Sequence, residues 1–353
     1  LLTREKVLKS SFILIFFIFY FSCHNDYKHA FKYVSPETKG FSSEKLEKLK
    51  EHLEKSGSSA LIITVDGDVV FDWGETKKKH TIHSIRKALL NSLYGIAVDK
   101  GQIDTSMTLR ELKIDDIEPD LTENELNARI IDLLKSRSGV YHNAAGESKS
   151  MLIGKPERDA YKPGEHYYYN NWDFNVLGAI IEQKTGKSIY KVYKNEIAKP
   201  LGMHDFKGEY CSIDGESEDE EIPNADGFYQ YEKSKSKYPA YHFRMSARDL
   251  ALYGQLYLNK GNWNGQQIIP KEWIELSIKP HSVYNPDYGI AYGMLWYVKG
   301  KSFYHTGLGI HILAVYPDSK MVMVHRVDTE NDFSYKKNDF YKMIGLVFDS
   351  KIK

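Results

Sequence analysis

The sequence predicts an α/β (α+β) fold in which an antiparallel sheet is flanked by terminal helices and interrupted by a large, mainly helical insertion. Three observations predict it. A hairpin pattern stands near the start, with Ala60–Val65 and Asp68–Trp73 joined by Asp66-Gly67. Short strand patterns fill the final third, and the long stretch between runs mostly at helical period. Strands so far apart can share one sheet only if the middle packs to its side, which leaves a cleft between the two regions.

At the N-terminus Arg4, Lys6 and Lys9 precede the apolar run Phe12–Phe21, then Ser22 and Cys23. A run of ten residues is too short to cross a bilayer as a helix, which takes about 20, but it suits the core of an export signal. A small residue before cysteine resembles a bacterial lipoprotein cleavage site, although Tyr20 and Phe21 fit that pattern poorly. Ordinary signal cleavage and a short uncleaved anchor are the other readings. The expectation is a signal over 1–23 with lipid on Cys23, and a polar tether over 24–42. The protein would then be exported to the bacterial periplasm or cell envelope and held at a membrane. With two cysteines in the chain, lipid on Cys23 would exclude a disulfide despite the oxidising compartment.

Ser43–Lys55 is a charged amphipathic helix with Leu46, Leu49 and Leu53 as its apolar stripe. After the hairpin and the Lys77-Lys78-Lys79 run comes a helix from Ser84 to near Gly101. Thr108–Pro119 is acidic and turn-rich. Glu125–Lys135 reads as a helix broken at Ser138-Gly139. A turn at Pro163-Gly164 leads through Tyr167–Trp172 into a helix over Phe174–Lys184, stopped by Gly186. A shorter helix runs from Ser188 to Ile197 and is ended by Pro200. Cys211–Tyr241 shows little periodicity and six acids among residues 214–221, and reads as an exposed loop region with a solvated acidic face. Calcium capture there would have oxygen ligands, but the spacing matches no EF-hand. Ser246 starts a helix through Leu258, and Pro270 can open another before Trp273. Strands are expected at Gly289–Val298, Ser302–Thr306, Ile310–Tyr316 and Met321–Val327, and Phe340–Phe348 lies in a closing helix. The sheet region is thus 43–83 plus 286–353, and the helical region 84–285.

The stretch around Ser84 carries the chemistry. Ser84 and Lys87 are three apart, so on a helix both side chains rise from one face, and a lysine amine can share a proton with a serine hydroxyl. The spacing alone decides little, because Ser-x-x-Lys also begins at Ser42, Ser188, Ser234, Ser334 and Ser350. What sets Ser84 apart is the apolar face of Leu89, Leu90, Leu93, Ile96 and Ala97, and Gly95, where another element can come close. Such a helix is buried, and desolvation can turn a first-turn lysine into a base near neutrality. A serine that satisfies the first turn beside a lysine reaching for solvent is the bland alternative. Tyr169-Asn170-Asn171 sits between a turn and a helix start, and would also suit a packed tyrosine and a capping asparagine. His305-Thr306-Gly307 ends a strand, where Gly307 permits close approach of a substrate backbone and nearby amides can face an oxyanion; a hairpin turn with a core histidine is the other reading.

Together these stretches resemble the serine beta-lactamase and penicillin-binding-protein-like superfamily, nearest its class C and esterase-like branch of beta-lactamase-related serine hydrolases. Ser84-Ile-Arg-Lys87 matches Ser-x-x-Lys, Tyr169-Asn-Asn171 matches Tyr-x-Asn, and His305-Thr-Gly307 stands where many members have Lys-Thr-Gly. Phrases such as Asp132–Gly139, Leu201-Gly-Met203 and Met245–Leu250 agree in order, so the likeness spans about residues 43–350. It implies a beta-lactamase/transpeptidase-like fold and a catalytic set of Ser84, Lys87, Tyr169, Asn171 and His305. Ser84 would be the acylated nucleophile, and Lys87 with Tyr169 would manage its proton. Asn171 would hold Lys87 and touch the substrate. The backbone amides of Ser84 and Leu308 would form the oxyanion hole, Thr306 and Gly307 would line the substrate strand, and His305 would help place Tyr169 or a polar substrate group. No metal or cofactor is implied.

Two departures bear on function. Arg86 replaces a small residue and is expected to point off the Ser84 and Lys87 face. His305 lacks the permanent charge of the motif lysine, which shifts the expected substrate toward short esters or simple amides. Beta-lactamase or DD-peptidase activity is one alternative, and a non-catalytic envelope protein that keeps the cleft is another. The 48 basic and 48 acidic residues balance, so a nucleic-acid partner is not expected. The partner is a small ester, amide or peptide substrate.

Overall fold

The computed structural model describes residues 31–217, 221–331 and 333–352, so the expected signal and Cys23 lie outside the described residues. Nine strands make one sheet in the order Lys32–Tyr33, Asp68–Gly74, Ala60–Val65, Met321–Arg326, His311–Tyr316, Ser302–Gly307, Tyr297–Lys299, Ile290–Tyr292 and Ser282–Asn285. Neighbours are antiparallel except the first pair. The two ends of the chain meet where Ala60 lies opposite Arg326 and Val65 opposite Met321.

The period of two in the central strands sorts the core into two layers. Leu61, Ile63, Val65, Met321 and Met323 face Leu46, Leu49 and Leu53 of the Ser43–Ser56 helix and Met343 and Val347 of the Lys337–Asp349 helix. Ile62, Val322 and Val324 face the opposite way, toward the helix Ala247–Leu258 and the helical region. The terminal helices and the insertion thus cover opposite faces, as the sequence predicts.

The Ser84 helix begins as a short turn over His83–Ile85 and continues over Arg86–Asp99, with Arg86 through Ala97 all buried. The close approach expected at Gly95 is made by Trp273 of the Lys271–Ser277 helix: a Cβ on Gly95 would stand 2.4 Å from the indole Cδ1. The same indole donates to the Asn91 carbonyl at 3.0 Å, which fixes how the two helices sit.

Several expected elements are corrected. Glu125–Lys135 is two pieces, Glu125–Asn127 and Ile130–Leu134, because Ala128 is extended and Arg129 pairs with Thr108; Asp132 then caps the second piece. Gly289–Val298 is a hairpin of two strands, since Gly293 packs on the Ser277 carbonyl and Leu295 turns the chain with a φ of 61°. The helix after the tyrosines starts earlier, at Asn171, because the Asn170 side chain caps it by accepting from Trp172 N at 3.1 Å. The helix expected to end at Pro200 runs on to Leu201, where Gly202 in the left-handed region closes it.

The largest correction concerns Cys211–Tyr241. Tyr210–Asp214, Gly227–Tyr231 and Ala240–Met245 form a second sheet with His80–Thr81, in the order His80–Thr81, Ala240–Met245, Gly227–Tyr231, Tyr210–Asp214. The outermost strand is exposed or half-buried along its whole length, so it has no apolar alternation to display. This sheet grips the residues just ahead of Ser84, with His80 opposite Met245 and Thr81 opposite Arg244.

Candidate active site

Ser84 is half-buried in the first turn of its helix. Lys87, one turn on, brings Nζ to 2.8 Å from Ser84 Oγ. The Lys87 side chain is 1% exposed, and its amine lies 4.5 Å from the Phe174 ring centre and 4.9 Å from that of Tyr169. Burial holds Lys87 well below the ordinary lysine range, and the Arg86 guanidinium adds to the effect. A neutral amine beside a hydroxyl can accept its proton.

Tyr169 closes the third side. Burial pushes its phenol up, and a hydrogen bond with Ser84 opposes that in part. Its ring packs on Phe174 at 4.9 Å, Tyr292 at 6.1 Å and Tyr297 at 6.3 Å, so the hydroxyl is aimed by an aromatic frame. The structure therefore brings Ser84, Lys87 and Tyr169 together.

Asn171 is placed differently from expectation. Its amide nitrogen donates to the Ala145 and Gly146 carbonyls, both at 2.9 Å, and its oxygen accepts from Arg86 Nη2 at 3.4 Å. None of these bonds reaches Lys87. Arg86 does point off the Ser84 and Lys87 face, as expected, but into the protein: it is 3% exposed and lies 4.3 Å over the Tyr241 ring.

His305 is fully buried, with Nδ1 2.9 Å from the Thr306 carbonyl. Because a carbonyl only accepts, Nδ1 carries the proton and Nε2 is a bare, buried acceptor with no hydrogen-bond partner. Burial first, then the nearby Lys87, pushes the imidazole down to about 3. A histidine enclosed in this way packs 5.2 Å from Tyr297 and is not presented to a substrate.

Gly307 is needed for a contact inside the chain. A Cβ there would stand 2.6 Å from the Ile82 carbonyl oxygen and 3.2 Å from His83 Cβ, so only glycine lets the strand end lie against the residues that carry Ser84. Thr306 is half-buried beside it, and Leu308, next in the turn, is 68% exposed. The strand pairs with Tyr297–Lys299 only as far as Tyr304, so on that side His305–Gly307 form a free edge among the described residues.

Sequence reasoning missed what holds Ser84 in place. His83 has a φ of 47°, a strained value for a non-glycine residue, and its Nε2 lies 2.7 Å from Thr329 Oγ1. Fully buried Arg326 donates to the carbonyls of His80 at 2.9 Å and Met245 at 2.6 Å and to His311 Nδ1 at 2.9 Å. Glu330 accepts from Thr81 N at 2.6 Å and from Arg244 through both oxygens, at 2.8 and 2.7 Å. Burial opposes ionisation of Glu330, yet Arg244 and Thr81 hold it down to about 2. Residues nearly 250 positions apart meet here, and no local spacing signals that.

Residues 46–342 match a family model described as Beta-lactamase. The chain belongs to the beta-lactamase family. Within this family of serine hydrolases, it is 28% identical over 210 residues to a Salmonella typhimurium protein named "Putative D-alanyl-D-alanine carboxypeptidase", covering 48% of each chain. The chain spans about half the length of the curated relatives it matches. Among solved structures it is similar to a "Putative 6-aminohexanoate-dimer hydrolase" from Bacillus anthracis, with a TM-score of 0.61 and 20% identity over 85% of this chain and 80% of that one. It is also similar to the octameric penicillin-binding protein homologue from Pyrococcus abyssi, with a TM-score of 0.61 and 19% identity over 86% of this chain and 76% of that one. At these identities the structures show a shared fold.

Proposed function

We propose that the protein is an exported serine hydrolase that works through an acyl-enzyme on Ser84, with a D-alanyl peptide or beta-lactam amide as its substrate class. The 2.8 Å contact between the buried Lys87 amine and Ser84 Oγ carries this reading. Lys87 takes the Ser84 proton as Oγ bonds to the carbonyl carbon, and the carbonyl electron pair moves onto oxygen between the amides of Ser84 and Leu308. Collapse breaks the C–N bond, and the leaving nitrogen receives a proton from the Tyr169 phenol, which Lys87 resupplies. Water then attacks the acyl carbon, gives its proton to the same pair, and releases the acid and free Ser84. The cleft lies, in this reading, between the sheet region of 43–83 with 286–353 and the helical region of 84–285.

The substrate class departs from the short ester expected above, and the reason is physical. That expectation rested on the permanent charge that His305 lacks, and the buried, neutral imidazole does lack it, but other features of the site and its relatives favour a peptide-like substrate. The free edge at Thr306-Gly307 suits an extended peptide-like chain. Sequence likeness to proteins named as carboxypeptidases supports the same side. Comparing kcat/KM for an acyl-D-Ala-D-Ala peptide, nitrocefin and p-nitrophenyl butyrate tests it. The peptide or nitrocefin should lead. A preference for the butyrate ester would remove the substrate assignment and leave the acyl-enzyme standing.

Export and anchoring rest on Arg4–Cys23. Mass spectrometry of protein from its native membrane should find a mature chain beginning at diacylated Cys23. A soluble mature form without lipid would refute the anchor and leave export in place.

A further inference from the structure

Arg86 is the unusual charge in this site. It is almost fully buried, one of its two terminal nitrogens has no hydrogen-bond partner, and the other meets the Asn171 oxygen at 3.4 Å. Among the described residues no carboxylate forms an ion pair with it. Its guanidinium stacks on Tyr241 at 4.3 Å, and Tyr241 is itself pressed against the helix at Gly178, where a Cβ would stand 2.9 Å from the ring. A cation held this way is costly to bury and is kept in one position.

We propose that Arg86 is a positioning residue: held on the Asn171 oxygen and the Tyr241 ring, it fixes a positive charge near the Ser84–Lys87 pair, so that Lys87 serves as base at a lower pH. This rests on the reading that Ser84 is acylated. The bonds of Asn171 run from its nitrogen to two carbonyls and to its oxygen from Arg86, and none of them joins it to Lys87. Ser84 Oγ is then the hydrogen-bond partner of Lys87 Nζ. An ammonium there would sit near a fixed guanidinium, among the rings of Phe174 and Tyr169, with one acceptor for three protons.

The other groups around the pair do not titrate between the histidine and tyrosine ranges. His305, on the Ser302–Gly307 strand, is pushed down to about 3 by burial, and His83, ahead of Ser84, to about 4 for the same reason. Burial also drives His242, on the Ala240–Met245 strand, well below the usual histidine range. Burial raises the phenols of Tyr169 and of Tyr241, the latter to about 12, and it raises Tyr297 on the Tyr297–Lys299 strand. Among the groups named, Lys87 is the one whose charge the profile follows between those limits.

The test is the rate of Ser84 labelling by a fluorophosphonate as a function of pH, with the labelled peptide identified by mass. Removing a like charge makes the ammonium easier to form, so R86M should move the midpoint of the rising limb up by about one pH unit or more. R86K, which keeps a charge, should stay near the wild-type midpoint. Should R86M fail to fold by near-ultraviolet circular dichroism, R86Q carries the same criterion. A slower R86M with an unmoved midpoint would mean that Arg86 only packs, and would overturn the proposal. Wild-type protein labelled at a serine other than Ser84 would instead overturn the acyl-enzyme reading itself.

Discussion

Ser84→Ala should abolish turnover of every substrate that wild-type protein accepts, by about 10⁴-fold or more in kcat/KM, or roughly 5–6 kcal/mol of transition-state stabilisation. The size follows from what is lost. Without Oγ there is no covalent intermediate, and the reaction falls back on water attack aided by the two amides alone. The protein should stay folded, because S84A removes one acceptor from a buried amine and leaves packing intact, a cost of about 1–3 kcal/mol. Intact-mass spectra after incubation with a fluorescent penicillin and with a fluorophosphonate give the decisive reading: wild-type protein gains one adduct on the peptide containing Ser84, and S84A gains none. Undiminished labelling of S84A would place the nucleophile elsewhere, and five other serines have a lysine three positions on.

Those five show what the sequence can and cannot express. Spacing alone is common; burial makes it chemistry. The run from Leu89 to Ala97 told of a buried helix, and Gly95 told of a close neighbour, which is Trp273. Apolar patterns recorded the central strands for the same reason, since both their faces pack on helices. The Tyr210–Asp214 strand left no such record because it lies at a sheet edge and buries little. The family resemblance likewise put Tyr169 beside Ser84, but it could not show that Arg86 bonds to the oxygen of Asn171, which depends on where the side chains turn after the backbone is fixed. His305 misled for a related reason. A strand-end residue looks available to a ligand in sequence, and only the pleat decides that this one turns inward while Thr306 turns out.

Lys87→Met should lower the rate of Ser84 acylation by about 10²–10⁴-fold, the range expected for losing a general base, while making the protein more stable. The two effects have one origin. Burial, with the Arg86 guanidinium second, holds folded Lys87 well below its ordinary value. Below the unfolded value of about 10.4 the unfolded chain therefore binds a proton that the folded chain does not, and folding must release it. Methionine has a similar length, no proton to lose, and suits the ring faces of Phe174 and Tyr169, so K87M avoids that cost without opening a cavity. At neutral pH the gain should be on the order of 1–3 kcal/mol. It should shrink as pH rises toward the unfolded lysine value, because the unfolded chain then stops taking up the proton. Chemical unfolding of both forms at several pH values between neutrality and the lysine range reads the gap directly. A gap that stays constant with pH would mean that folded Lys87 keeps its proton, and would remove it as the base even if K87M were inactive. Tyr169→Phe separates the phenol from the amine: it should slow acylation and leave the pH dependence of stability unchanged up to about pH 9, since below the ordinary tyrosine value of about 10 a phenol raised by burial holds its proton in both states.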